Sequence, residues 1–273
     1  MTMTGRKQKV AMLALVGGIG MGMAASFLAG VSGARAAGER EDAEARAIID
    51  KAIKAHGGAD KLSQFKAVSA KWVGKHKVEN MFYWDAVRVV TYEMPDKIRF
   101  DFEVENPKGG TFAFSRVVNG KRGWQGSVRG TRDLKEVEVA QIVDELYAHW
   151  PASMVPLKDK GFEFSPVGNS TVDGKDAVGV RVSCKGRPDV NLFFDKKTGL
   201  AIKSDRRAKD PGTNQEYTAE SIYRDHKAFQ GVMWPTNRLD RRDGKDLEEN
   251  SGRFELSEFQ AHDKLEEKSL ARP

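Results

Sequence analysis

Histidine, cysteine, serine and paired carboxylates are the side chains that do most protein chemistry, and here their spacing points to none. The five histidines, His56, His76, His149, His226 and His262, are scattered. No two of them sit at i, i+2 or i, i+4, the spacings that place two metal ligands on one face of a strand or helix, and no His-Glu-x-x-His run occurs. His56 precedes Gly57-Gly58 and reads as the end of a helix, beside the negative end of its dipole. The single cysteine, Cys184, excludes an intrachain disulfide and falls on the apolar side of an alternating run, where it acts as a small buried hydrophobe. Ser170 stands in Gly168-Asn169-Ser170-Thr171, which is turn chemistry, and neither a Gly-x-Ser-x-Gly elbow nor a phosphate loop is present. Asp101 and Glu103 alternate with phenylalanines and face solvent, while a carboxylate pair formed across strands is undecidable from spacing. The expectation is a protein that is not an enzyme, with no metal and no cofactor.

Aromatic side chains are the more informative set. Trp72, Trp84, Phe100, Phe102, Phe112, Phe114, Trp124 and Phe194 all fall in or near alternating runs. Large rings on one face of a sheet either fill a core or line an apolar cavity of the kind that holds hydrophobic ligands.

The elements that would position them follow from periodicity. Val178, Val180, Val182 and Cys184, then Val190, Leu192 and Phe194, then Leu200 and Ile202, alternate with polar residues between turn signals, which predicts an antiparallel meander over 176–207. Ile98, Phe100, Phe102 and Val104 alternate without a fault, Phe112, Phe114 and Val118 continue the face, and Asn119-Gly120 is a hairpin signal before Trp124. Ala45, Ile48, Ile49, Ala52 and Ile53 form one helical stripe within 39–56. A second helix over 133–150 is predicted to be capped by Asp133 with Glu136, to present Ile142, Leu146 and Trp150, and to stop at Pro151. It is expected to lie on the sheet as core or as lid. The tail from His262 to Pro273 is charged and expected to fray.

Arg6, Lys7 and Lys9, the uncharged run from Val10 to Val31, and Ala34-Arg35-Ala36 have the layout of a secretory signal peptide over 1–36. If it is retained, the run is long enough to anchor the chain in the inner membrane. The net charge of +6 also misleads: taking the four basic residues of 1–36 from 45 leaves 41 against 39 acidic, or +2. Nothing then favours nucleic acid, whose phosphates need a concentrated basic surface.

Several short motifs carry a resemblance. Ala47-Ile48-Ile49-Asp50-Lys51-Ala52-Ile53 leads to His56-Gly57-Gly58, followed by Pro95-Asp96-Lys97-Ile98-Arg99-Phe100 and Val118-Asn119-Gly120-Lys121-Arg122-Gly123-Trp124. Phe194-Asp195-Lys196-Lys197-Thr198-Gly199-Leu200 and Gly231-Val232-Met233-Trp234-Pro235 complete the set. Over about residues 45–258 the chain resembles the LolA/LolB-like family of lipoprotein-localisation factors, which includes periplasmic regulators and mycobacterial lipid carriers. The resemblance implies an α+β fold: a strongly curved antiparallel sheet, or unclosed β-barrel, with an N-terminal helix and a mid-chain helical lid, over 37–261. It implies an exported periplasmic carrier of a lipid, a lipoprotein acyl chain or another hydrophobic ligand held between sheet and lid. The alternative on the same fold is an envelope protein-interaction or signalling module without a cavity. Candidate lining residues are Trp72, Trp84, Phe100, Phe102, Phe112, Phe114, Trp124, Val180, Leu192, Phe194, Ile142, Leu146 and Trp150. The family's cavity arginine suggests Arg88 or Arg99, and Arg99 has the wrong parity.

Overall fold

The computed structural model describes the backbone of residues 24–78, 82–210, 213–247 and 253–273, and side chains from Arg40 onward apart from Arg253. Residues Glu41–Pro273 form one compact unit. The chain opens with helix α1 (Ala24–Ala55) and a single turn, α2 (Ala59–Leu62). Six strands follow: β1 (Ala67–Val78), β2 (Phe82–Glu93), β3 (Lys97–Glu105), β4 (Thr111–Asn119), β5 (Arg122–Ser127) and β6 (Gly130–Asp133). Helix α3 (Glu136–His149) and two short 3-10 turns (Pro151–Ser153 and Val155–Lys158) lead into the second half. That half contains β7 (Phe162–Val172), β8 (Lys175–Cys184), β9 (Val190–Asp195), β10 (Ala201–Lys209), β11 (Glu216–Phe229), β12 (Val232–Arg242), β13 (Lys245–Asp246) and β14 (Arg253–His262).

All fourteen described strands join one antiparallel sheet, in the order β6-β5-β4-β3-β2-β1-β14-β12-β11-β10-β9-β8-β7, with β13 on β12. The first and last strands therefore pair at its centre, Ala70 opposite Phe259 and Trp72 opposite Leu256. Its outer strands, β6 and β7, are consecutive in the chain, and α3 with the 3-10 turns joins them. The sheet is unclosed, with an N-terminal helix and a mid-chain helix, as the sequence predicts. Both sequence meanders lie in it as its two halves.

The inner face is divided between two occupants. Helix α1 lays Ala45, Ile49, Ala52 and Ile53 on Val180, Val182, Val190, Leu192, Phe194 and Ala201 of the second half. Met154, between the two 3-10 turns, and Leu157, in the second, are fully buried in the same cluster. A register shift at Lys71/Trp72 turns both Leu256 and Phe259 of β14 into this core.

Three of the motifs behind the resemblance, at 47–58, 194–200 and 231–235, converge on the end of α1. His56 is 2% exposed. Its Nδ1–H donates to Ala52 O at 2.8 Å, its Nε2 accepts from Ala201 N at 3.4 Å, and its carbonyl accepts from Met233 N at 3.0 Å. Gly58 N closes the helix end onto Ile53 O at 2.9 Å. In the Asp195–Leu200 turn, Asp195 Oδ1 accepts from Lys197 N (2.7 Å) and Thr198 N (2.9 Å), while Lys51 Nζ donates to Lys196 O at 2.8 Å. These residues dock a helix; they do no chemistry.

Burial lowers the His56 pKa from 6.5 to about 4, and the nearby His226 is lowered in the same sense by its own burial. The unfolded chain thus takes up a proton near pH 6.5 that the folded chain refuses until about pH 4. The His56 contribution is complete above pH 6.5 and is lost as pH falls towards 4, amounting to about 2 kcal/mol by pH 5. Urea midpoints measured from pH 7.5 to 5 should fall accordingly, and a flat profile would contradict a neutral, buried His56.

Two expectations are corrected. The tail is packed rather than frayed: Leu265 and Leu270 are buried on the outer face with Ala67, Val117 and Trp124. Thr131 Oγ1 donates to Pro273 O at 2.7 Å, and Leu265 N donates to Glu93 Oε2 at 2.9 Å. The tail's charge conceals two leucines placed to cover an apolar strip. Leu270→Ala should cost about 2–3 kcal/mol in denaturant unfolding, whereas a frayed tail would show no effect. The cap of α3 lies two residues later than predicted, at Lys135, whose N–H donates to Glu138 Oε2 at 2.9 Å. Arg132 grips Glu138 with both terminal nitrogens, at 2.7 and 2.9 Å, and this fixes the later start. The leader run up to residue 23 lies outside the described residues, and no described helix is long and apolar enough to cross a membrane.

Candidate functional site

Where α1 does not cover the inner face, α3 does so at a distance, and a cavity of about 690 Å³ lies between α3 and the sheet. That volume falls within the range of roughly 300–1,000 Å³ typical of small-molecule sites. Strand register assembles the sheet wall. Ala70 pairs with Val90, Trp72 with Arg88 and Tyr92 with Ile98, while Val90, Phe100 and Arg116 form one row across three strands. Cross-strand partners share a face. Trp234, Arg238, Asp240 and Phe254 complete this wall from β12 and β14. The opposite wall is Leu134 with Glu138, Gln141, Ile142, Glu145, Leu146 and His149 of α3, and Trp150 just beyond it. Gly123 lets the start of α3 come down onto β5: a Cβ there would stand 2.8 Å from Leu134 Cδ1 and 2.9 Å from Val139 Cγ2.

Of the residues put forward from sequence, Trp72, Phe100, Ile142, Leu146 and Trp150 line this cavity. Trp84, Phe102 and Phe114 lie beside it in an aromatic cluster with Val104 and Phe254, Phe102 and Phe114 having ring centroids 5.5 Å apart. Phe112 is 52% exposed. Val180, Leu192 and Phe194 face α1 in the closed core. Trp124 is on the outer face: its partner Val117 is buried against the tail, whereas Val118, opposite cavity-lining Ile98, points inward. Arg88 lines the cavity, whereas Arg99 is on the outer face, bonded to Asp101 at 2.7 Å and to Ser269 O at 3.4 Å. Among the described residues no cluster of His, Cys, Asp and Glu is suited to hold a metal ion.

The cavity wall also holds charges that were not put forward: Arg116, Glu138, Glu145, Arg238 and Asp240. For Arg116 the signal in the sequence is a charge on an apolar parity, in line with Phe114 and Val118. One set latches the end of α3 to the second half-sheet. Glu145 accepts from His149 Nε2 at 3.0 Å and from Arg206 Nη2 at 2.6 Å, and the His149 bond, with the charges of Arg206 and Arg238, holds its carboxyl at about 2. Arg238 Nη2 reaches Asp240 at 2.9 Å, and Ser221 Oγ donates to the same carboxylate at 2.6 Å. Burial opposes ionisation of Asp240, but the charges of Arg238 and His149 and the Ser221 hydrogen bond together outweigh it and lower its pKa. At the other end of α3, Arg132 holds Glu138 at about 2. The carboxylates here are held by Arg132, Arg206 and Arg238, and none of these groups is arranged as a nucleophile and base. What the site can do is enclose an apolar body beside fixed charges.

No family model matches the sequence, and no curated protein matches it. Among solved structures the chain is similar to a LolA superfamily protein from Nitrosomonas europaea, 12% identical over 84% of this chain and 97% of the other, with a TM-score of 0.48. A domain from Vibrio parahaemolyticus described as an outer membrane lipoprotein-sorting protein domain is 10% identical over 84% and 97%, with a TM-score of 0.47. A DUF1329 family protein from Desulfovibrio piger is 13% identical over 83% and 97%, with a TM-score of 0.46. The first is by name a member of the superfamily that the sequence motifs resemble.

Proposed function

We propose that this chain is an exported carrier of the cell envelope that holds a lipid, a lipoprotein acyl chain or another hydrophobic ligand between its sheet and α3. The observation that supports this reading is the cavity of about 690 Å³ under α3, walled by Trp72, Phe100, Ile142 and Trp150 and left open while α1 packs the inner face of the second half-sheet. Apolar surface facing an unfilled volume gains free energy when a ligand removes it from water, by about 25 cal/mol per Å² buried. Catalysis has no support in the wall, whose carboxylates are each paired with an arginine, Glu138 with Arg132, Glu145 with Arg206 and Asp240 with Arg238.

Native mass spectrometry of the full chain, purified from envelope without detergent exchange, tests the reading. The expected result is a population carrying extra mass that organic extraction releases as acyl species. A chain that is always bare, and that takes up no added fatty acid, would overturn it.

A further inference from the structure

Charge is unevenly distributed around the cavity. Each carboxylate in its wall is already bonded to a cation: Glu138 to Arg132, Glu145 to Arg206 and Asp240 to Arg238. Arg116 differs. Its Nη2 donates to the neutral Gln125 Oε1 at 3.1 Å, and its Nε is sealed from solvent with no acceptor among the described residues. Gln125 Oε1 is itself shared with Arg132 Nη2 at 3.4 Å, and Arg132 is committed to Glu138. A second guanidinium, that of Arg88, lies on the same face two strands away, stacked 3.6 Å from the Phe254 ring centroid. Burial first, and the Arg238 charge second, bring Arg88 down to about 10. The wall thus places cationic character directly beside Val90, Ile98 and Phe100.

A buried donor without an acceptor, here Arg116 Nε, calls for one, and on a guanidinium that acceptor is best an anion. Carboxylates and phosphates match its planar fork with two parallel hydrogen bonds. A cationic head would meet only carboxylates already taken. We propose that the cavity takes an anionic amphiphile, whose apolar chain lies along Trp72, Phe100 and Ile142 and whose carboxylate or phosphate head bonds Arg116, with Arg88 as the second cation. This rests on the carrier reading and narrows its ligand class.

The test is displacement of a neutral apolar fluorophore, N-phenyl-1-naphthylamine, from the full chain by dodecanoate, dodecyl phosphate, dodecanol and inorganic phosphate. Both anionic amphiphiles should displace it at concentrations about tenfold below dodecanol, the scale of a charge-assisted hydrogen bond pair, and phosphate alone should displace nothing. Arg116→Gln should bring the anions to the level of dodecanol and leave dodecanol unchanged, with Arg116→Lys intermediate. Equal displacement by dodecanol and dodecanoate from the unsubstituted chain would overturn the head-group assignment while the carrier reading stood. Displacement by inorganic phosphate as effective as by dodecyl phosphate would also overturn it, since the site would then serve a free anion. A chain that binds neither fluorophore nor amphiphile would overturn both readings. The comparison among ligands needs no variant, so a misfolded Arg116→Gln chain would not spare the proposal.

Discussion

Replacing Gly57 with alanine should destabilise the folded chain by about 4 kcal/mol, summing left-handed backbone strain and overpacking. Gly57 has φ +123°, and a Cβ there would stand 2.5 Å from the carbonyl oxygen of Gly231 and 3.2 Å from Val232 Cα. Both obstacles are backbone, so neither can rotate away. The strand it would push is β12, whose Met233 N bonds the carbonyl of the adjacent His56. Moving β12 would therefore also break the dock that holds α1 over the second half-sheet. Denaturant unfolding measures the effect directly. Gly58 provides the internal control: it has φ +87° but nothing within 4 Å of its Cβ. Gly58→Ala should show only the backbone term, about 1–3 kcal/mol for a positive-φ extended conformation. Equal, small losses at both positions would contradict the close approach of α1 to the β11–β12 turn.

Val90→Trp should reduce ligand affinity by at least about 30-fold while leaving stability within about 1.5 kcal/mol of the unsubstituted chain. Val90 is half-buried in the middle of the sheet wall, between Ala70 on β1 and Phe100 on β3, and points into the cavity. An indole there occupies the space of the ligand rather than that of packed side chains. A tryptophan in a dry core strains it, but one in an open cavity buries new apolar area. Loss of binding together with loss of folding would mean that the volume beneath α3 is needed by the fold itself. Unchanged binding would place the ligand elsewhere.

Much of the fold was legible because it is local. In β3, the alternation of Ile98, Phe100 and Phe102 with Arg99 and Asp101 is a direct image of the pleat, and the structure places Phe100 on the inner face and Arg99 on the outer. Asn119-Gly120 and Asp195–Gly199 turn where their chemistry requires. The second half of the site was not legible, because it depends on pairings between distant parts of the chain. β1 meets β14 across nearly the whole sequence, and only that pairing decides that α1 covers Val180, Leu192 and Phe194 while Trp72 and Phe100 remain open. Trp124 shows the limit of period-two reasoning at a strand's start. Its neighbour Gly123 has no side chain to mark the inner parity, and the indole was assigned to the wrong face. The tail shows a related limit, since leucines spaced five apart amid charges carry no periodic signal, yet Leu265 and Leu270 are both buried.

The lid has a polar inner edge for a physical reason. Glu145 reaches Arg206 across the mouth of the cavity, and Glu138 reaches Arg132 at the other end. Ion pairs at a wet rim contribute little net stability, about 0–1 kcal/mol each, so they fix where α3 lies without gluing it shut. On the carrier reading, a helix held by charge at its ends and by Leu146 and Ile142 between them would admit an apolar ligand without unfolding.

The most direct test of the central claim, that the space under α3 holds the ligand, is photoaffinity mapping with a fatty acid bearing a diazirine on its distal carbon. The account predicts that, after irradiation and digestion, label is found on Trp72, Phe100, Ile142 and Trp150, and that Val90→Trp removes it. Label confined to the exposed rings of Phe82, Tyr83 and Phe112, and unaffected by Val90→Trp, would contradict it.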